Sequence, residues 1–316
     1  MDERLYADVT NASYFGNPPL LAHYTSIATL DAIVSNNELW FSNPLFMNDI
    51  EEVRGGIREG LEAYYYHEEI NSALVTEVTQ QQFRGLLEDC VRNFEVNHLF
   101  DTYIFCLSEH DPADEDGLLS MWRGYGDGGK GVALVLDGSP MKEVPGSPLI
   151  VDRVHYLSAS ERRAWFNAQA NLFANVVLDK QVKGEELRYA VEALFGRLRL
   201  ASLFSKHAGF HEEKEWRIAY LPERDHGGLL KKYRGYLVTN RGVEPKLKLK
   251  IAPIVGAVDN AVSLEALVQT ILLGPSLQAP LLHQSVRRML ELKNRQDLAE
   301  RVKASRIPFR PAGLQF

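Results

Sequence analysis

Segments with the period of strands and segments with the apolar stripe of helices are interleaved along this chain without alternating strictly. That order argues against a regular doubly wound sheet, which needs strand and helix in turn. It predicts an α/β protein of the α+β type, with a mixed or antiparallel sheet carrying helical insertions. Strand signals fall at 20–24, 38–42, 102–107, 131–136 and 149–156, then at 215–221, 236–239, 247–251, 270–273 and 307–310. Ser26 is a helix N-cap, followed by Ile27, Leu30, Ile33 and Val34 on one face. Longer helices are predicted at about 49–70, 73–98, 158–180, 185–206 and 279–294. No Pro/Gly/Ser-rich linker interrupts the chain. The expectation is an N-terminal arm over 1–20 and one domain over 21–316, with helical insertions near 49–98 and 158–206.

At 316 residues, 45% hydrophobic and 24% charged, the chain can bury a substantial core, which excludes general disorder. The net charge of −7 gives no bulk support for nucleic-acid binding, leaving open a local patch at Arg287, Arg288 and Lys293. Cys90 and Cys106 both follow apolar residues and read as reduced core thiols of a reducing compartment. No signal peptide and no apolar run of membrane-spanning length is present, so the expected location is the cytoplasm and no membrane partner is expected.

Several tempting motifs fail on context. Gly124-Tyr-Gly126-Asp-Gly128-Gly129 satisfies G-x-G-x-x-G, but a strand is predicted after it where the dinucleotide fingerprint needs a helix. Gly124 to Lys130 nearly makes a Walker loop, yet Gly131 stands where a magnesium-binding Ser or Thr belongs. The segment reads as a glycine turn into a strand. His211-Glu212-Glu213 lacks the second histidine of the zinc helix, so no metal site is expected, and no G-x-S-x-G elbow occurs to anchor an α/β-hydrolase triad.

Three islands combine polar and aromatic groups: His23-Tyr24-Thr25-Ser26, Trp122-Arg123-Gly124-Tyr125-Gly126, and Glu212 to Arg217. Each also has a plain structural reading. His23 would be a hydrogen-bonded core histidine, Arg123 a surface stack on aromatic rings, and the glutamates a solvated run ending in a salt bridge. Alternation on a strand would place Glu213, Glu215 and Arg217 on one face. The expectation is a single polar cleft built from all three islands.

The ordered series His23-Tyr-Thr-Ser, Leu39-Trp-Phe-Ser-Asn43, Met47-Asn48-Asp49, Phe105-Cys-Leu-Ser108, Met121-Trp-Arg-Gly-Tyr-Gly126, Gly131 to Asp137, Glu213-Lys-Glu-Trp-Arg217, Ile271-Leu-Leu-Gly-Pro275 and Ile307-Pro-Phe-Arg310 resembles a large bacterial family. That family is catalogued only as a domain of unknown function, so the resemblance implies no activity. A second resemblance is to the ADP-ribosyltransferase fold, which has Arg or His on a first strand, Ser or Tyr on a second, and a Glu, often Glu-x-Glu, on a later one. His23, Ser108 and Glu213-x-Glu215 occur in that order. The long Ser108–Glu215 spacing and the lack of a Ser-Thr-Ser pattern are departures.

What that resemblance implies is an NAD-using ADP-ribosyltransferase or NAD glycohydrolase, acting as a toxin or in phage defence. In it Glu215 stabilises the ribosyl cation, Glu213 orients the nucleophile, and His23 holds NAD with Tyr24, Thr25 and Ser108. Trp122 or Tyr125 would stack on a ring, and Arg123 would pair with pyrophosphate. NAD is the substrate, no metal is needed, and the macromolecular acceptor is open. The alternatives are a non-catalytic nucleotide-binding or sensing module, and a metal-independent phosphoester enzyme acting on RNA or a nucleotide.

Overall fold

The structure is a computed structural model and describes residues 12–47, 50–239, 242–277 and 280–309. In chain order its strands are β1 (Leu20–Thr25), β2 (Glu38–Ser42), β3 (Tyr103–Glu109), β4 (Val132–Asp137), β5 (Leu149–Arg153), β6 (His155–Leu157), β7 (Ser205–His207), β8 (Glu215–Tyr220), β9 (Arg234–Thr239), β10 (Gly242–Lys250), β11 (Val268–Leu273) and β12 (Val302–Ala304). The helices are α1 (Ala12–Gly16), α2 (Ile27–Asn36), α3 (Ile50–Tyr65), α4 (Glu68–Ala73), α5 (Glu77–Asn93), α6 (Leu119–Gly124), α7 (Ala159–Lys180), α8 (Glu185–Leu203), α9 (Leu264–Leu267), α10 (Pro280–Leu292) and α11 (Gln296–Glu300).

The class is mixed α/β, as the interleaving predicts. Local chemistry sets several boundaries. The Ser26 side chain accepts from the Thr29 amide to start α2, and Asn37, at φ 54°, ends it in the left-handed region. Ser158 and Glu161 form a capping box at the head of α7. The last predicted strand is displaced: β12 lies at Val302–Ala304, residues 305–309 are irregular, and Arg310 lies outside the described residues. Asn48 and Asp49 of the predicted loop also lie outside them.

The chain divides into two compact units. The first comprises Asn43–Thr102 and Val154–His211, so the two helical insertions, separate in sequence, make one helical body. In it α3 packs on α8 through two glycines a turn apart. A Cβ on Gly60 would lie 2.3 Å from Leu198 Cδ1, and one on Gly56 2.9 Å from Ser202 Oγ. A larger side chain at either position would force Leu198 or Ser202 to shift. Asn43 pins the entry to this unit. Fully buried, it donates from Nδ2 to the carbonyls of Leu99, Phe100 and Thr102, and its Oδ1 accepts from the Leu45 amide.

The second unit comprises Asn11–Ser42, Tyr103–Arg153 and Glu212–Phe316. Among the described residues it holds a ten-stranded sheet, ordered β12-β11-β4-β1-β3-β2-β10-β9, with β8 paired to β3 and β5. Of these pairings only β11–β12 is parallel. The two faces carry different cores. Leu21, Phe41, Phe105, Leu107 and Trp216 cluster on one, while Ala22, Tyr24, Ala133 and Val135 pack with Met121 and Trp122 on the other. Burying each large apolar side chain contributes about 1.5–3 kcal/mol.

Candidate functional site

The second unit brings the first, second and later strands of the predicted series side by side. Ala22 of β1 is opposite Ser108 of β3, and Ser108 is opposite Glu215 of β8, so the three form one row across adjacent strands. Opposed residues of an antiparallel pair share a face. Ser108 and Glu215 therefore lie together although more than a hundred residues separate them. Ser108 is buried, and its hydroxyl donates to the Glu213 carbonyl at 2.7 Å. The Tyr125 hydroxyl, on an exposed ring, donates to Glu213 Oε1 at 3.0 Å. Ser108, Tyr125, Glu213 and Glu215 thus make one constellation.

The segment between the two glutamates is bent. Glu213 ends a 3-10 turn, β8 starts at Glu215, and Lys214 between them has φ 42°. That left-handed conformation is unfavourable for lysine and breaks the strand alternation expected across 213–217. Glu215 and Arg217 do share a face, but Glu213 precedes the strand. The Lys214 carbonyl accepts from the Glu109 amide at 2.9 Å, which anchors the bend.

Glu215 and Arg217 are both buried, with 6% and 2% exposure. The guanidinium holds the carboxylate through Nε to Oε1 at 2.7 Å and Nη2 to Oε2 at 3.1 Å. This fork neutralises much of the field of Glu215. The salt bridge at the end of the glutamate run is this one, buried and not solvated, and the spacing of two places Glu215 and Arg217 on one strand face.

His23 is not part of this constellation. It is opposite Leu134 in β4, so it faces away from the row of Ala22, Ser108 and Glu215. Its ring lies 4.3 Å from that of Phe105, and Nδ1 donates to the Cys106 carbonyl at 3.0 Å. The cause is a fork in the sheet. β1 pairs with β3 at Leu21 and Ala22, and β2 meets β3 at Ser42 opposite Ile104. Between those points the imidazole takes a carbonyl that a strand amide would otherwise bond. Burial pulls the His23 pKa below its usual 6.5, against the opposing pull of this hydrogen bond. The single cleft expected from the sequence is divided at this residue.

The remaining predicted contacts form a brace. Trp122 is fully buried, its Nε1 donates to the Asp116 carbonyl at 2.9 Å, and its ring meets that of Tyr24 edge-on at 4.8 Å. The Tyr24 hydroxyl accepts from the Leu118 amide at 2.9 Å, and burial raises its pKa to about 12. Neither ring offers a free face for stacking. Arg123 is exposed over the Phe309 ring, 5.5 Å from its centroid. Thr25 ends β1, half-buried, opposite Val132. The glycine segment runs from α6 through a 3-10 turn at Asp127–Gly129 into β4, so no helix starts there.

Among the described residues, no group of three or more His, Cys, Asp or Glu side chains is placed to hold a metal ion. No helix among them is long and apolar enough to cross a membrane. Cys90 and Cys106 form no disulfide among the described residues and are only half-buried, and burial raises the Cys90 pKa to about 11. Of the cations noted on the late helix, Lys293 pairs with Asp31 at 2.9 Å and Arg288 with Glu291 at 3.1 Å.

Residues 121–218 match the model of a family described as a protein of unknown function (DUF2971). The matched stretch carries both Trp122-Arg-Gly-Tyr-Gly126 and Glu213-Lys-Glu-Trp-Arg217, and over it the chain is similar to that family. No curated protein and no solved structure matches the chain.

Proposed function

We propose that the chain is an NAD-consuming enzyme, an ADP-ribosyltransferase or NAD glycohydrolase, acting inside the cell as a toxin or phage-defence effector. The observation that carries this reading is the cross-strand row in which Ser108 of β3 stands opposite Glu215 of β8 and bonds the carbonyl of Glu213. This joins the second-strand serine to a Glu-x-Glu segment, as the fold resemblance requires. Here Glu213, held by Tyr125, is the less buried carboxylate and the one in reach of a ligand. Nicotinamide leaves with the electron pair of its bond to ribose, and the carbon becomes oxocarbenium-like. A carboxylate stabilises that charge, and water or an acceptor nucleophile adds and gives up its proton. His23 has no part in this form of the reaction.

The bidentate Arg217–Glu215 pair favours a second reading, a non-catalytic nucleotide-binding or sensing module, because it leaves Glu215 with little field to offer. Incubating the purified protein with NAD, while following nicotinamide release and label transfer, separates the two. The enzyme reading expects turnover that falls by ~10²–10³ in Glu213→Gln or Glu215→Gln, with NAD affinity changed much less. Glu213→Gln is the cleaner variant, because Glu215→Gln also takes the ionic partner from buried Arg217. No release and no transfer by the parent protein would sink the enzyme reading. Equal turnover by the parent and both variants would remove the two glutamates from the chemistry.

A further inference from the structure

The face of the sheet that carries Phe105 and Leu107 does not pack solidly. Leu21, Phe41, Leu107, Leu136, Val151 and Leu249, from six different strands, line a cavity of about 130 Å³ inside the second unit. Tyr14 and Ala257 are part of its cover. Protein interiors are close-packed, and a void lined by hydrocarbon forfeits dispersion contacts on every side. The cavity is partly open to solvent, and water entering it meets few polar partners, so hydrocarbon can displace that water favourably. A cavity of roughly 150 Å³ lined by aliphatic and aromatic groups is large enough to hold benzene.

The polar groups of the wall are committed elsewhere. Ser147 Oγ donates to the Ala257 carbonyl at 2.9 Å and accepts from the Leu149 amide at 3.1 Å. Lys250 binds Glu38 at 2.8 Å and the Asn36 carbonyl at 2.9 Å. Asp259 Oδ1 accepts from the Ala261 amide at 2.9 Å. Lys142, the other cation of the lining, is exposed. The Tyr14 hydroxyl lies against Gly138, where a Cβ would come within 1.8 Å of it. Burial, and secondarily Asp137, raise its pKa to about 12, so it stays neutral. Apart from Lys142, which stays in solvent, the wall therefore offers contact to hydrocarbon and little to compensate a buried charge.

The geometry points to a binding site in the core of the second unit for a small neutral ring compound, benzene- to indole-sized. The site is independent of Glu213 and Glu215. It takes its selectivity from volume and from the cost of bringing a charge into an apolar wall.

Methyl-labelled full-length protein is titrated with benzene, indole and benzoate, and the methyl resonances are followed by NMR. Benzene and indole should shift Leu21, Leu107, Leu136 and Val151 saturably. The exposed Val75 and Val255 should not follow, and benzoate should give no saturable shift. Ala257→Leu, which fills the cavity, should weaken benzene binding at least tenfold. Leu136→Phe serves the same purpose if the first variant fails to fold. No saturable shift of the lining methyls in the parent protein overturns the proposal, as do equal shifts at the exposed valines. Benzoate binding as tightly as benzene overturns the neutral class.

Discussion

Arg217 binds Glu215, two residues before it on β8, with both its Nε and its Nη2, and both side chains are buried. Removing one partner of a buried ion pair strands the other charge in a poorly solvated place. Arg217→Met should therefore lower the stability by about 3–5 kcal/mol in urea unfolding. The double change Glu215→Leu with Arg217→Met should lose less than Arg217→Met alone. A double variant that is weaker by the sum of both single losses would show that the two charges are not coupled.

His23 makes a pH prediction. Its folded pKa lies below 6.5, so between the folded and unfolded values the unfolded chain binds more protons. The stability associated with neutral His23 is thus fully present above about pH 7 and falls as the pH drops through 6.5 towards the folded pKa. His23→Gln keeps a donor for the Cys106 carbonyl and removes the titration. Urea midpoints measured from pH 7.5 to 5.5 should slope less steeply in this variant than in the parent. Identical slopes would mean that His23 is not the group responsible.

Asn43 fastens three carbonyls and one amide in the helical unit. Asn43→Ala should cost about 2–4 kcal/mol, because it orphans several buried polar groups at once. Asn43→Asp keeps the size but turns a donor into an acceptor facing carbonyl oxygens, so it should cost at least as much near neutral pH. Thermal unfolding of both variants checks the order. Asp being the milder change would point to a different hydrogen-bonding arrangement.

Gly131 and Gly128 separate crowding from conformation. A Cβ at Gly131 would sit 2.1 Å from the Thr25 carbonyl oxygen, which belongs to the β1–β4 ladder. Gly128 has φ 60° and open space around it. Gly131→Ala should destabilise by at least about 2 kcal/mol. Gly128→Ala should lose only about 1 kcal/mol of backbone preference. Equal losses, measured as unfolding midpoints, would contradict the crowding at Gly131.

What could be read in the sequence was whatever depends on near neighbours. The Ser26 cap, the helices at 158–180 and 185–206, and the glycine turn into β4 each follow from nearby residues. The row of Ala22, Ser108 and Glu215 could only be suggested as an order of motifs, because register between distant strands has no local signature. His23 faces away for a reason no window of sequence contains: β1 and β2 leave different parts of the same edge of β3. Glu213 falls outside the expected strand face because Lys214, in the left-handed region, interrupts the alternation, and a lysine there gives no warning. Trp122 and Tyr24 were aromatic and polar enough to suggest a ligand. Their hydrogen bonds to the main chain at Asp116 and Leu118 spend those polar atoms on the fold.

The two helical insertions that make one unit also set an order of completion during synthesis. The last residue of the helical unit is His211, so that unit can finish while the final third of the chain is still to come. The sheet cannot. β3 waits for β8, β4 for β11, and β2 for β10, all C-terminal to His211. A nascent chain paused there carries finished helices beside strands with open edges, the kind of edge that seeks other chains. Premature stops after His211 should therefore yield insoluble protein that nevertheless contains a protease-resistant helical part.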